Sequence, residues 1–204
     1  MDKQSGSVLT NRWIWLIGGI ALLIMALLRF PQNSPVLKPR SVGQAIDEHN
    51  GVAVYYNGLV SNVSGRNVTR DGYNLGLKYQ CVEFVKRYYY QHLNHRMPDS
   101  YGHAKDFFNK KLGDGKRNVR RNLIQYTNPS RSRPKEDDLL IFDGSTFNSY
   151  GHVAIVSGVS EDEIEIIQQN PGPMGSSRDR ISLKHIGGIW KIGNNRILGW
   201  LRKE

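Results

Sequence analysis

The side chains best suited to covalent chemistry in this sequence are its single cysteine and a histidine that opens a later apolar run. Cys81 is the only cysteine among the 204 residues, so the chain can form neither an internal disulfide nor a multi-cysteine zinc site. His152 follows Gly151 and precedes a run typical of a strand. A thiolate attacks an amide carbonyl when an imidazole accepts the thiol proton and a polar group fixes the imidazole tautomer. The pair therefore predicts nucleophilic catalysis, and the alternative is that Cys81 is a small buried apolar side chain.

A helix would position the cysteine. In residues 80–94, apolar side chains recur at helical spacing at Val82, Val85 and Tyr89, which predicts a helix with Cys81 in its first turn. The free N–H groups and positive end of a helix favour a thiolate, so we expect the pKa of Cys81 to lie below the ordinary value of about 8.5.

An antiparallel sheet would position the histidine. Residues 42–49 are expected to form a helix or turn, and the Gly/Asn/Ser-rich stretch that ends near Lys78 is expected to form a loop. Apolar or alternating runs predict strands at residues 52–56, 139–142, 153–159, 163–168 and 196–201. The expected layout is thus a helix bearing Cys81 followed by a sheet bearing His152.

Four ordered blocks of sequence resemble the CHAP family (cysteine, histidine-dependent amidohydrolases/peptidases), and most closely the amidase domain of bacterial glutathionylspermidine synthetase/amidase. The blocks are GLKYQCVEFVKR at 76–87, DLLIFD at 138–143 leading to GHVAIV at 151–156, QQN at 168–170, and ILGW at 197–200. The resemblance implies a papain-like α+β fold and hydrolysis of a peptide or other amide bond. It implies Cys81 as the nucleophile and His152 as the general base, and no metal or organic cofactor is expected.

One position departs from the amidase pattern. The amidase has a glutamate where this chain has Gln168. A glutamine carbonyl can accept the imidazole N–H and hold its tautomer, but it lacks the charge that stabilises an imidazolium. We expect Gln168 to orient His152, with Asn170 as the nearest substitute because the two share a strand face.

Two polar residues flank the cysteine. Gln80 is expected either to donate to the oxyanion alongside the Cys81 backbone N–H or to cap the helix. Glu83 is expected to pair with Arg87 across one helical turn, on an exposed face.

The charge of the chain is concentrated in one stretch. The net charge is +10, and residues 110–135 hold nine Lys or Arg against the single acid Asp114. Glycines and prolines there predict a basic, loop-rich insertion with room for one short element at residues 119–126. Arg117, Arg120 and Arg121 are expected to contact an anionic polymer, and the alternative is a solvated loop. No nucleic-acid-binding motif is present, so nucleic acid is not an expected partner.

The first forty residues predict a membrane anchor. No charge occurs from Trp13 to Leu28, and arginines bracket this run. We therefore expect a short tail at 1–12, a transmembrane helix at 13–29, a linker at 30–44 and the amidase-like domain at 45–204. The flanking charges do not decide the orientation of the anchor.

The sequence as a whole predicts a membrane-anchored cysteine amidase or peptidase that acts on peptidoglycan from the periplasmic or extracellular face of a bacterial inner membrane. One alternative is a cytoplasm-facing amidase that cleaves a glutathione–polyamine or similar small peptide amide. Another is a catalytically weak module that binds an anionic cell-envelope polymer. The oligomeric state is not predicted.

Overall fold

An eight-stranded antiparallel sheet is the centre of the part of the chain that the computed structural model describes, residues 40–146, 148–172 and 175–204. The strand order in this sheet is β11-β10-β9-β8-β7-β12-β6-β5. Its strands are β5 (Lys116–Asn118), β6 (Leu123–Thr127), β7 (Leu139–Phe142), β8 (His152–Val159), β9 (Glu163–Ile167), β10 (Arg178–Ile186), β11 (Ile189–Ile192) and β12 (Ile197–Arg202).

Smaller elements complete the described unit, which runs from Arg40 to Glu204. Two hairpins pair β1 (Ala45–His49) with β2 (Val52–Tyr55) and β3 (Arg66–Val68) with β4 (Asn74–Leu77). The α-helix of the described residues is α1 (Cys81–Gln91), and a short 3₁₀ turn spans Ala104–Phe107. The unit is therefore mostly sheet with one helix, an α+β arrangement consistent with the expected papain-like fold.

Both faces of the large sheet are buried. Side chains alternate between the faces of a strand, and in β7 Leu139 and Ile141 pack in a core on the side of α1, whereas Leu140 and Phe142 pack in a second core on the opposite side. Each of these four side chains is at most 7% exposed. This double burial explains why β7 has a continuous apolar sequence rather than an alternating one.

Helix α1 is buried on nearly all sides. Residues 83–89 are all buried, although three of them are charged. Phe84, Val85, Tyr88 and Tyr89 pack in the core that α1 shares with the sheet. The predicted helix is confirmed, and Cys81 is its first residue.

Several sequence expectations differ from the structure. Residues 42–49, expected as a helix or turn, contain strand β1, and the expected loop before residue 78 contains the β3–β4 hairpin. The insertion at 110–135, expected to be loop-rich with one short element, supplies two strands to the large sheet, β5 and β6, and Leu123 and Gln125 of β6 are buried. Strands β10 and β11 have no counterpart among the predicted strands. Charged and apolar residues alternate only weakly in β10, and the pair Gly187–Gly188 forms the hairpin turn that joins the two strands.

The predicted tail, anchor and most of the linker, residues 1–39, lie outside the described residues. Within residues 40–204, apart from the two short gaps, no helix combines the length and apolar character needed to cross a bilayer.

Candidate active site

The thiol of Cys81 lies at the N-terminal end of α1 and is partly buried. Backbone N–H groups of Val153, Val82 and Cys81 itself are directed at its sulfur. Burial nevertheless raises the pKa of Cys81 to about 11, and these N–H groups lower it only in part. The expectation of a lowered thiol pKa is therefore wrong, because desolvation outweighs the effect of the helix end.

The side chain of Gln168 orients His152. Nε2 of His152 lies 2.9 Å from Oε1 of Gln168, and Nε2 of Gln168 donates to the backbone oxygen of Ser176 at 3.0 Å. The second hydrogen bond fixes the amide so that its oxygen faces the imidazole. Since a carbonyl oxygen only accepts, Nε2 of His152 carries the proton and Nδ1 keeps the lone pair that a general base needs.

Burial also keeps the imidazole neutral. It lowers the pKa of His152 to about 4, an effect that the Gln168 hydrogen bond opposes and the charge of Arg196 reinforces. With a thiol pKa of about 11, the resting site at neutral pH therefore pairs a neutral thiol with a neutral imidazole.

The strand register explains why these groups meet. In the β8–β9 pair, Ile155 is opposite Ile167, so continuing the register places Gln168 beside Ala154, diagonally across from His152. Residues of adjacent strands on such a diagonal are within reach of long side chains.

Gln80 takes neither of its expected roles. Both hydrogens of its side-chain amide are donated to backbone oxygens, of Val60 at 3.0 Å and Asn62 at 2.7 Å, which leaves none for an oxyanion. Gln80 is the residue before the helix, but it makes no side-chain capping bond. Asn170 donates to Oε1 of Gln80 at 2.8 Å. The backbone N–H of Cys81, at the free end of the helix, is a donor that an oxyanion can use.

A buried polar cluster that the sequence analysis did not find fixes the start of α1. Gln169 is fully buried, donates to the backbone oxygen of Gln80 at 3.0 Å and to Glu83 at 2.9 Å, and accepts from the Tyr55 N–H at 2.8 Å. Glu83 also accepts from Arg87 at 2.7 Å. The Glu83–Arg87 pair is thus confirmed, but it lies in the interior and not on an exposed face. The signal that could have indicated this role is the adjacent pair of amides at 168–169.

The three arginines expected to contact an anionic polymer do not form one exposed face. Arg121 is fully buried and donates to the backbone oxygens of Asp99 at 2.5 Å and Tyr101 at 3.2 Å. Arg120 pairs with the Asp99 carboxylate at 2.5 Å, and Arg117 donates to the side chain of Asn122. The expectation of a polymer-binding Arg121 is therefore wrong, since its guanidinium is buried inside the protein.

Cys81 and His152 line one cleft with a volume of about 1040 Å³. Of nine large apolar side chains that are exposed among the described residues, five border this cleft, so apolar surface is concentrated where a ligand would enter. These five are Leu59, Val60, Val63, Tyr101 and Tyr150. Among the described residues there is no cluster of His, Cys, Asp or Glu side chains that could hold a metal ion.

Cysteine hydrolases combine a helix-borne thiol with an oriented imidazole on a neighbouring sheet, and the described unit has this layout. A sequence model of the CHAP domain family matches residues 70–170, and a match to this family suggests a cysteine- and histidine-dependent amidase or peptidase. The matched range includes Cys81, His152 and Gln168.

A curated relative is a trypanothione synthetase from Crithidia fasciculata. It is 30% identical over 132 residues, which is 63% of this chain but 20% of that protein. The chain therefore spans about a fifth of the length of the curated relative that it matches.

Proposed function

We propose that this protein hydrolyses amide bonds through a thioester on Cys81. The observation that carries the proposal is the fixed Gln168 amide, which sets the tautomer of His152 beside the cleft that also contains the thiol. A buried imidazole with its proton held on one nitrogen is prepared to accept a proton on the other.

The proposed reaction has two halves. The sulfur of Cys81 attacks the substrate carbonyl while Nδ1 of His152 takes the thiol proton, and the Cys81 backbone N–H donates to the developing oxyanion. The imidazolium then gives its proton to the leaving amine, and a thioester remains. His152 next accepts a proton from a water molecule that attacks the thioester. The carboxylate product is released, and the imidazolium of His152 returns the proton to the sulfur of Cys81.

The neutral resting state determines how the thiol is activated. A preformed thiolate–imidazolium pair is disfavoured because burial raises the pKa of Cys81 and lowers that of His152. Proton transfer therefore accompanies attack, in the manner of a serine hydrolase, and Gln168 fits this chemistry since it orients the imidazole without a charge.

We further propose peptide or amide bonds of peptidoglycan as the substrate, with residues 13–29 anchoring the protein at the bacterial inner membrane and the domain on the periplasmic or extracellular side. The open cleft with its apolar rim supports a peptide substrate. A second candidate is a small peptide–polyamine amide of the glutathionylspermidine type, cleaved on the cytoplasmic side. The similarity to a trypanothione synthetase favours this candidate.

The test uses the full 204-residue chain and its Cys81→Ala and His152→Ala variants. Each protein is incubated with purified peptidoglycan and with glutathionylspermidine, and released amine is measured. We expect amine release by the wild type and a loss of at least about 1000-fold in either variant. Arg70→Ala, a change at an exposed residue outside the cleft, serves as the control that retains activity. Release that does not depend on Cys81, or no release from either substrate, would contradict the proposal and favour a binding module.

A further inference from the structure

The described residues that line the cleft include no aspartate or glutamate. One of them, Arg66, carries a permanent charge, and the others are apolar, aromatic, amide, hydroxyl, glycine, histidine or the catalytic thiol. A cleft for a cationic group would be expected to offer at least one carboxylate.

The guanidinium of Arg66 is available to a ligand. It is exposed, lies 5.8 Å from the ring centre of Tyr101, and donates to Oδ1 of Asn74 at 3.1 Å. No carboxylate of the described residues lies within ion-pair distance of it. This hydrogen bond uses one of the five N–H donors of the guanidinium. A pair of N–H donors that can bind a carboxylate through two parallel hydrogen bonds therefore remains free.

Two buried cations lie behind the side of the cleft that carries Arg66, a side called here the Arg66 wall. Lys86 is fully buried and donates to the backbone oxygens of Asn74 and Ser100, the latter at 3.1 Å. Arg121 packs against Gly102, where an added Cβ would lie 3.4 Å from its Nη2 atom. Ser100 and Gly102 line the cleft, so both charges contribute to the potential on that side.

The positive charges of the Arg66 wall repel one another. Burial lowers the pKa of Lys86 to about 8, with Arg121 and Arg66 adding to the decrease and Asp99 opposing it. Arg120 and the carboxylate of Asp106 also lie near Arg121. Four cations against two carboxylates still leave a positive surplus beside the cleft, which a bound anion would offset.

We propose that Arg66, together with the buried cations behind it, binds a free carboxylate of the substrate near the scissile amide. The inference rests on the proposed amidase function and narrows its substrate to peptides that bear a carboxylate. A polyamine group would meet like charge on this side of the cleft, so the inference favours the acidic peptides of a cell-wall polymer over a peptide–polyamine amide.

The first measurement compares kcat/KM for two peptides that differ in one group, a free carboxylate or its primary amide, placed next to the scissile bond. For the full wild-type chain we expect the carboxylate peptide to be preferred about fivefold, the factor of an exposed arginine–carboxylate pair. The preference falls toward one in Arg66→Ala and recovers in Arg66→Lys. Arg70→Ala keeps the wild-type preference. An equal preference in wild type and Arg66→Ala overturns the inference.

The second measurement separates this inference from the proposed hydrolysis. Cys81 is alkylated with iodoacetate, which is anionic, and with iodoacetamide, which is neutral, and the ratio of the two rates is taken so that thiolate content cancels. We expect Arg66→Ala to lower this ratio about twofold or more, with a weaker effect at high salt. Arg66→Lys restores the ratio, whereas an unchanged ratio in Arg66→Ala overturns the carboxylate subsite even if no substrate is hydrolysed.

Folding of the Arg66 variants is not at risk from the lost contact. The Oδ1 atom of Asn74 also accepts the backbone N–H of Gly76 at 3.1 Å, so removal of Arg66 leaves it satisfied. A thermal denaturation curve that coincides with that of the wild type confirms that the ratios compare folded proteins.

Discussion

Replacing Gln168 with glutamate tests whether the neutral orienter keeps the site uncharged. In Gln168→Glu a carboxylate would take the place of an amide oxygen that lies 2.9 Å from Nε2 of His152. The carboxylate would stabilise the imidazolium, and with it the thiolate of Cys81, which the wild-type site disfavours.

The size of the effect follows from the geometry. An opposite charge in direct contact shifts a pKa by about 1–3 units, which would bring the pKa of His152 up from about 4 into the range of about 5–7. The thiolate–imidazolium pair would then become about 10- to 1000-fold more populated relative to the neutral pair. The change also removes the hydrogen bond from Gln168 to the Ser176 oxygen, which we expect to cost about 1–3 kcal/mol of stability.

The assay is the pH dependence of Cys81 alkylation by iodoacetamide. For the wild type, with a thiol pKa of about 11, we expect the rate to rise about tenfold per pH unit from neutral pH to about pH 10, without a plateau. For Gln168→Glu we expect a rate above that of the wild type at and below neutral pH, because the imidazolium lowers the pKa of the nearby thiol, and profiles that converge toward pH 10. Ultraviolet absorbance of the thiolate in the same pH range provides an independent reading.

The matched control is Gln168→Leu, which removes the orienting oxygen without adding charge. It should show no such excess of the alkylation rate at neutral pH, and it should lower hydrolysis by about 10- to 100-fold because the imidazole tautomer is no longer fixed. A Gln168→Glu profile that superimposes on that of the wild type, in a protein shown to be folded, would refute the argument. A wild-type plateau near pH 5 would refute it as well, since it would reveal a preformed ion pair.

Three further predictions concern the scaffold. Glu83→Ala should lower the free energy of unfolding by about 3–5 kcal/mol, because it leaves Arg87 buried without its partner. Urea denaturation measures this free energy. The control Glu161→Ala, at an exposed position, should change the free energy of unfolding by less than about 0.5 kcal/mol. Arg121→Ala should lower stability by about 2–4 kcal/mol, because it removes a fully buried side chain and its hydrogen bonds to the backbone oxygens of residues 99 and 101. Wild-type stability in this variant would show that these hydrogen bonds are dispensable. The Arg178 hydrogen bond lowers the pKa of Glu165, so this carboxylate stabilises the fold above its unfolded pKa and loses that contribution as the pH falls through the folded pKa. Arg178→Ala should therefore lose less stability than the wild type between about pH 6 and pH 3. Parallel stability curves for the two proteins over this pH range would contradict this.

The positions of the two reacting side chains could be predicted because they depend on local patterns. Helical spacing after Gln80 placed Cys81 at a helix start, and the apolar run after Gly151 placed His152 at the start of a strand. Both patterns reflect side chains that face a core, and burial of such faces is the main determinant of secondary structure.

The electrostatics of the site could not be predicted in the same way. The helix end at Cys81 indicates a low thiol pKa, but burial raises it. That burial comes from packing against a core built partly from strands β7 and β8, which are distant in sequence. Arg121 lies in a run of basic residues that has the composition of a solvated loop. Its acceptors are backbone oxygens of residues 99 and 101. Because every residue has a backbone oxygen, the amino-acid sequence does not indicate which of them accept hydrogen bonds from Arg121.

The adjacent glutamines show how one short segment positions both halves of the site. Successive side chains of a strand point to opposite faces, so Gln168 reaches His152 while Gln169 reaches the other side, toward α1. Gln169 holds the backbone oxygen of the residue before Cys81, and Gln168 holds the proton of the base. The relative placement of nucleophile and base therefore depends on a single strand end, and an insertion or deletion of one residue there would exchange the two faces and separate the thiol from its base.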